Sequence, residues 1–304
     1  MQLLRKGSRG EDVKKLQRLL NLKTDGIFGP NTEKAVIRFQ MHNDLKVDGV
    51  VGNETWTLLL NKEHSDSAID ESSDIQDQFF ETNYGQKIHR YYLPKGEYLD
   101  GPVKNDYICL HHTASGPNPY NVIDYWGRDS RGRIATEFVL GGRDCATGND
   151  EYDGVMVQCF PTGGQAWHLG RSGSGYMNKH TVGLEICSMG YLKDQKSCTG
   201  RRAKDRQGAM IEEPFRGYKT YHRYSEKQIQ ETKKWILFIA ERDNIDPRVG
   251  LVQWIKKFGA HKAFEWNEDA YYGKVKGLIT HTNVSRGKSD CYPDPRLVEM
   301  LLTL

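Results

Sequence analysis

Two adjacent imidazoles close the stretch Tyr107-Ile108-Cys109-Leu110-His111-His112, and a third, His281, closes Lys276-Gly277-Leu278-Ile279-Thr280-His281. The first run lies between Asp106 and Ser115-Gly116-Pro117, the pattern of a buried strand that stops at a loop. Side chains alternate faces along a strand, so His111 and His112 point in opposite directions and only one can face a given site. Two strands ending in histidine imply a shared sheet edge where imidazoles converge. Asp290 and Cys291 follow His281 closely. A catalytic zinc takes three protein donors and leaves a fourth position for water. His111, His281 and either Asp290 or Cys291 meet that requirement. Glu185 lies inside Val182-Gly183-Leu184-Glu185-Ile186-Cys187, where a carboxylate is costly to bury without a task.

The elements that must carry these residues alternate along the chain. Glu137 to Gly142, Gly154 to Phe160, and Thr181 to Cys187 are short, β-rich and bounded by glycine. Asn118-Pro119 opens a helix toward Trp126, Ser225-Glu226 opens a long amphipathic one to about Arg242, and another spans about Val249 to Phe258. Strands interleaved with helices predict an α/β mixed-sheet domain over residues 80–304 with helices on both faces. Residues 193–219 are polar and basic and read as a solvated surface insertion.

Residues 1–62 contain a repeat. Asp25-Gly26-Ile27-Phe28-Gly29-Pro30-Asn31-Thr32 recurs as Asp48-Gly49-Val50-Val51-Gly52-Asn53-Glu54-Thr55. Asp-Gly supplies a turn, and Thr32 and Thr55 are candidate helix N-caps. Val13, Leu16, Gln17, Leu19 and Leu20, then Ala35, Val36, Phe39 and Gln40, follow helical spacing. A small three-helix domain is the simplest fold. Residues 63–79, rich in Ser and Asp, read as a linker.

Composition narrows the function. The balance of 43 Lys+Arg against 40 Asp+Glu is too even for a nucleic-acid footprint. No apolar run reaches a membrane span, and the start Met1-Gln2-Leu3-Leu4-Arg5-Lys6-Gly7 lacks the apolar core of a secretory signal. Six cysteines without CxxC spacing point to free thiols.

Two families resemble parts of this chain. Leu16-Gln17, Asp25-Gly26, Phe28-Gly29, Phe39-Gln40, Val47-Asp48-Gly49 and Thr55-Trp56 resemble the small peptidoglycan-binding module at the ends of cell-wall hydrolases. Ile108 to Ala114, Gln165-Ala166-Trp167-His168-Leu169-Gly170, Asn178, Val182 to Glu185, and His281 with Lys288-Ser289-Asp290 resemble the type 2 N-acetylmuramoyl-L-alanine amidases. That family includes phage lysozyme-amidases and peptidoglycan recognition proteins.

The second resemblance implies site roles. His111 and His281 would be zinc ligands, and Asp290, two residues after a catalytic Lys288, the third. The family usually has Pro directly after this ligand, whereas here Asp290 precedes Cys291-Tyr292-Pro293, so Cys291 is the alternative if the loop shifts by one. Glu185 would move the proton of a zinc-activated water, and Lys288 would stabilise the oxyanion. His168, Thr113 and Asn178 would lie on the substrate side, and His112 on the opposite face. A tyrosine of another family member is replaced by Thr136, which leaves Glu185 as the base. The implied activity is cleavage of the amide between N-acetylmuramic acid and L-alanine, with Zn2+ as cofactor and bacterial peptidoglycan as partner. The alternative is a noncatalytic peptidoglycan-recognition protein. The expected setting is a phage endolysin, a monomer that accumulates in the host bacterial cytoplasm and reaches the wall after holin-type release.

Overall fold

In the computed structural model the chain forms two compact units, Met1–Asp77 and Gln78–Leu304. The structure describes residues 2–20, 22, 24–43, 45–66, 78–170, 175–203 and 208–304. Most of the expected linker, residues 67–77, lies outside the described residues, as do Lys204 and Arg206 of the basic insertion.

The first unit contains α1 (Glu11–Leu19), α2 (Pro30–His42) and α3 (Asn53–Asp66). Leu4, Val13, Leu16, Phe28, Val36, Val51, Trp56 and Leu59 form its core. The helix continues through residues 63–66, past the expected linker start, in keeping with the helix-forming Lys62-Glu63 that precedes them. The sequence repeat becomes a repeated hydrogen-bond knot. Gln17 Nε2 donates to Asp25 Oδ1 at 2.8 Å, to the Ile27 carbonyl at 3.1 Å and to Thr32 Oγ1 at 3.2 Å, while its Oε1 accepts from Gly26 N at 2.8 Å. Gln40 repeats this with Asp48, the Val50 carbonyl, Thr55 and Gly49 N at 3.0, 2.9, 3.3 and 2.9 Å. Gly26 and Gly49 carry φ of 72° and 71° at matching points, a conformation that costs other residues more. Thr32 and Thr55 are not the expected N-caps. The helices start two residues earlier, at Pro30 and Asn53, and both hydroxyls serve the glutamine knots instead.

The second unit is built on a seven-stranded sheet of β1 (Phe79–Glu81), β2 (Lys87–Arg90), β3 (Tyr107–His112), β4 (Phe138–Leu140), β5 (Met156–Gln158), β6 (Thr181–Ile186) and β9 (Leu278–Thr280). Their order is β1-β2-β5-β4-β6-β3-β9. The central pairs β4·β6, β6·β3 and β3·β9 are parallel, whereas β1·β2 and β4·β5 are antiparallel.

Helices cover both faces. On one, α6 (Glu226–Asp243) starts at a capping box between Ser225 and Gln228 and buries Ile229, Trp235, Ile236 and Ile239. They pack with Ile108, Leu110, Val182 and Leu184 of the strands and with Val252 of α7 (Leu251–Phe258) and Leu297 of α11 (Pro295–Leu301). On the other, Val122 and Ile123 of α4 (Pro119–Trp126) meet Val139 and Val157, and Met177 of α5 (Gly175–Lys179) meets Cys109 and Ile279.

The polar insertion is not the solvated loop its composition suggests. Its second half forms a hairpin of β7 (Gly208–Phe215) and β8 (Tyr218–His222), the latter running past its expected end. Ile211, Phe215 and Tyr221 join the main core, spaced too widely among polar residues to register as an apolar run. Among the described residues no helix is long and apolar enough to cross a membrane.

The twin knots carry a stability prediction. Gln17→Leu removes four hydrogen bonds and Gln40→Leu five, and each leaves a buried turn amide without its acceptor, a loss of roughly 1–3 kcal/mol. Hydrogen exchange in the full chain should show faster exchange at Gly26 or Gly49 respectively, and equal protection in variant and wild type would mean that the knots do not hold the turns.

Candidate metal and catalytic site

Parallel register brings the chemistry together. His111 of β3 lies opposite Glu185 of β6, and Leu110 opposite Thr280 of β9. Registered neighbours on adjacent strands project to the same face, so His111, Glu185 and the residue after Thr280 meet at one sheet edge. That residue, His281, does not end the strand as its sequence pattern suggests but opens the short helix α10 (His281–Val284). Asn283 makes this turn: its Oδ1 accepts from Thr280 N at 2.9 Å, and its Nδ2 donates to the Ala263 and Glu265 carbonyls at 2.8 Å each.

His111 Nδ1 lies 3.0 Å from His281 Nδ1 and 3.3 Å from Asp290 Oδ2, and His281 Nδ1 lies 3.0 Å from the same oxygen. All three side chains are buried. Tetrahedral bonds of ~2.0–2.1 Å place donor atoms about 3.3 Å apart, close to the spacing found. His281 Nε2 is buried without a hydrogen-bond partner, so the ring interacts only through the edge that faces the trio. Two nitrogens and a carboxylate oxygen at this spacing fit a zinc-type ion.

The electrostatics agree. Burial pushes the His111 imidazole down to about 4, so near neutrality the ring is uncharged and keeps a lone pair. Burial pushes the Asp290 carboxyl up, but His281 and His111 beside it outweigh this and hold it well below the usual carboxylate range. It is therefore an anion at the trio.

Cys291, one residue on, does not join the clustered donor atoms. Its side chain lies in the hydrophobic core with Leu297 and Tyr292, its thiol is hydrogen-bonded to Tyr224, and burial pushes that thiol well up. A thiol that resists ionisation is a poor ligand. The Thr282 amide donates to the Asp290 carbonyl at 3.0 Å, which holds the loop in the register that presents the aspartate.

The remaining candidates separate into two groups. Glu185 and Lys288 line a cleft of about 820 Å3 beside His281 and Asp290. Glu185 Oε2 is buried with no partner, and burial, with Asp290 nearby, pushes this carboxyl up to about 8. Thr113 and Asn178, expected at the substrate, make hydrogen bonds within the fold. Thr113 Oγ1 bonds the Ser188 carbonyl and amide, each at 3.3 Å, though the residue borders the cleft. Asn178 accepts from Leu169 N at 3.0 Å and donates to the Gly170 carbonyl at 2.9 Å. His168 borders the cleft too, but its Nδ1 lies 2.9 Å from His111 Nε2 and its Nε2 3.0 Å from the Thr181 carbonyl. Both ring nitrogens are thereby occupied. His112 sits on the opposite face, with its Nδ1 3.0 Å from the Tyr224 hydroxyl.

Arg216, in the turn of the β7–β8 hairpin, carried no signal in the sequence. Its guanidinium donates to the Arg286 carbonyl at 2.8 Å and the Thr282 carbonyl at 3.1 Å, and pairs with Glu265 at 3.3 Å. It thus ties the insertion to the loop that carries Lys288. Only three-dimensional proximity reveals this, since 66 residues separate Arg216 from Thr282.

Two outcomes follow. Asp290→Ala and His111→Ala should abolish stoichiometric zinc binding by equilibrium dialysis, whereas Cys291→Ala and His112→Ala should retain it. The reverse pattern would mean that the strand or loop register is wrong. Glu185 also makes the metal-free fold pH-dependent. Its folded pKa is raised from 4.5 to about 8, so its protonated form is favoured in the fold. This contribution is intact below about 4.5 and is lost as pH rises through about 8. Glu185→Gln should therefore stabilise the zinc-free chain by roughly 1–3 kcal/mol at pH 8.5 but not at pH 4, read by urea unfolding at both values.

Comparison with known proteins follows the same division. A family profile described as a peptidoglycan binding domain matches residues 9–59, and one described as N-acetylmuramoyl-L-alanine amidase matches residues 101–291. The N-acetylmuramoyl-L-alanine amidase CwlA of Bacillus subtilis is 29% identical over 104 residues, covering 33% of this chain and 34% of that protein. The match thus spans about a third of the length of that curated relative. Among solved structures, a fused Zn-dependent amidase/peptidase/peptidoglycan-binding protein of Clostridium acetobutylicum is 40% identical over 19% of this chain and 28% of its own, with a TM-score of 0.19. A Burkholderia AP3 phage endolysin is 43% identical over 19% and 24% of the two chains, also with a TM-score of 0.19. PlyL is 17% identical, covering 70% of this chain and 89% of its own, with a TM-score of 0.39. Since the amidase profile spans well over half of the residues and includes the clustered His111, Glu185 and Asp290, the chain belongs to the N-acetylmuramoyl-L-alanine amidase family.

Proposed function

We propose that the second unit hydrolyses the amide that joins the lactyl group of N-acetylmuramic acid to L-alanine of the peptidoglycan stem. The observation that carries this is one cleft in which His281, Asp290, Lys288 and the Glu185 carboxyl, whose Oε2 has no hydrogen-bond partner, stand together, with the buried His111 completing the donor set beside them.

His111, His281 and Asp290 would hold zinc. Bound there, zinc supplies a Lewis acid and lowers the pKa of a coordinated water from 15.7 toward ~7. The chain's own groups do the rest. Glu185, on the strand beside His111, takes the proton of the attacking water and returns it to the leaving amine of L-alanine. Lys288 is exposed on the cleft wall, within reach of a bound acyl group, and stabilises the oxyanion of the tetrahedral intermediate.

The first unit, which matches a peptidoglycan-binding family, would hold the enzyme on the wall while the second cuts. Together the two units support a modular endolysin, acting as a monomer. It would be held in the host bacterial cytoplasm and act on the wall once a holin-type pore releases it.

Digestion of purified peptidoglycan by the zinc-loaded chain should release new L-alanine amino termini and no new reducing sugars, identified by mass spectrometry. Glu185→Gln should lower the rate by about 10²–10⁴-fold and Lys288→Ala by about 10²–10³-fold, both with zinc still bound. A wild type that sediments with sacculi but releases no amino termini would select the noncatalytic recognition reading.

A further inference from the structure

Zinc ligation through Nδ1 requires that His111 carry its proton on Nε2. The structure shows what enforces this. The Thr181 carbonyl can only accept, so His168 Nε2, 3.0 Å away, is the donor of that bond. In an uncharged His168 ring the other nitrogen, Nδ1, is then an acceptor. His111 Nε2, 2.9 Å from it, must donate. The protons are thus ordered from the Thr181 carbonyl through His168 to His111, whose Nδ1 lone pair is left facing His281 and Asp290.

We infer that His168 is a positioning residue that holds the proton of His111 on Nε2 and so turns its Nδ1 lone pair toward the metal site. This inference rests on the zinc site proposed above. The surroundings keep the His168 ring in place. A side chain at Gly183 would put its Cβ 3.0 Å from His168 Nδ1 and 2.6 Å from Thr136 Cγ2, so the Gly of Val182-Gly183-Leu184-Glu185 is the floor on which the ring lies. Asn178 clamps both Leu169 and Gly170, the two residues that follow the histidine. The roles expected of His168 and Asn178 at the substrate thereby become one role behind the metal, with the oriented ring adding basicity to the ligand in front of it.

Cys109 Sγ, a nitrogen of His111 and one of His168 also lie close enough to share an ion. In that arrangement His168 Nδ1 would accept a metal rather than a proton, so metal stoichiometry separates the two.

The test uses the full chain, with zinc affinity measured by competition against a chelator and the imidazole tautomers of the zinc-free chain read by long-range 1H–15N NMR. Wild type should bind one zinc per chain and show His111 protonated on Nε2. His168→Ala should weaken zinc binding about 10–100-fold. His168→Gln, whose side-chain oxygen can still accept from His111, should stay within a few-fold of wild type. Unchanged affinity in His168→Ala, a Gln variant as weak as Ala, an Nδ1-protonated His111 or two zinc ions per chain would each overturn the inference. If His168→Ala does not fold, the wild-type tautomer and stoichiometry still decide. A wild type that binds no zinc would instead remove the metal site on which the inference rests.

Discussion

The second unit depends on one constraint, that three lone-pair atoms from separate segments must be held about 3 Å apart in a nonpolar setting. Lone pairs at that distance repel unless a proton or a cation stands among them. His111 Nδ1, His281 Nδ1 and Asp290 Oδ2 are so placed, and the sheet behind them fixes where they stand. β3 lies between β6 and β9 with both pairs parallel. This register fixes where His111 and Glu185 project and where the chain turns to present His281.

Burial sets the character of each group there. It keeps the His111 imidazole uncharged and the Cys291 thiol protonated, whereas two neighbouring imidazoles keep Asp290 an anion despite the same burial. For Glu185 burial and the neighbouring Asp290 carboxylate outweigh the pull of Lys288, and its pKa rises to about 8. One low-dielectric pocket therefore gives an anionic carboxylate at Asp290 and a readily protonated carboxyl at Glu185, two groups that would differ little in water. The cost appears as a fold less stable at alkaline pH while the site holds no metal.

Peripheral elements act on this centre by fixing backbone. Asn283 bends the chain at His281, and Arg216 ties the hairpin to the loop of Lys288. Asn178 and Gly183 seat the His168 ring. In the first unit Gln17 and Gln40 do the same for two turns that a sequence repeat had already marked. Polar side chains that bond main-chain groups recur in most of these, since a turn under a packed core must have its amides and carbonyls satisfied.

The amino-acid sequence by itself determined the alternation of strands and helices, the three-helix module, and which residue types gather at the candidate site. These rest on local signals: apolar runs, Asp-Gly turns, histidines at strand ends and a glutamate in an apolar strand. Tertiary structure alone decided which of two adjacent side chains each segment presents. Asp290 rather than Cys291 reaches the histidines because the Thr282 amide fixes the loop register, a bond that no spacing encodes. His168 serves His111 instead of substrate because its partner at Thr181 is a carbonyl brought near by folding. The hairpin of residues 208–222 was hidden because its buried Ile211, Phe215 and Tyr221 find their apolar neighbours on distant elements. Local periodicity reports the partners a residue has along its own element, and these three outcomes were settled by partners elsewhere in the chain.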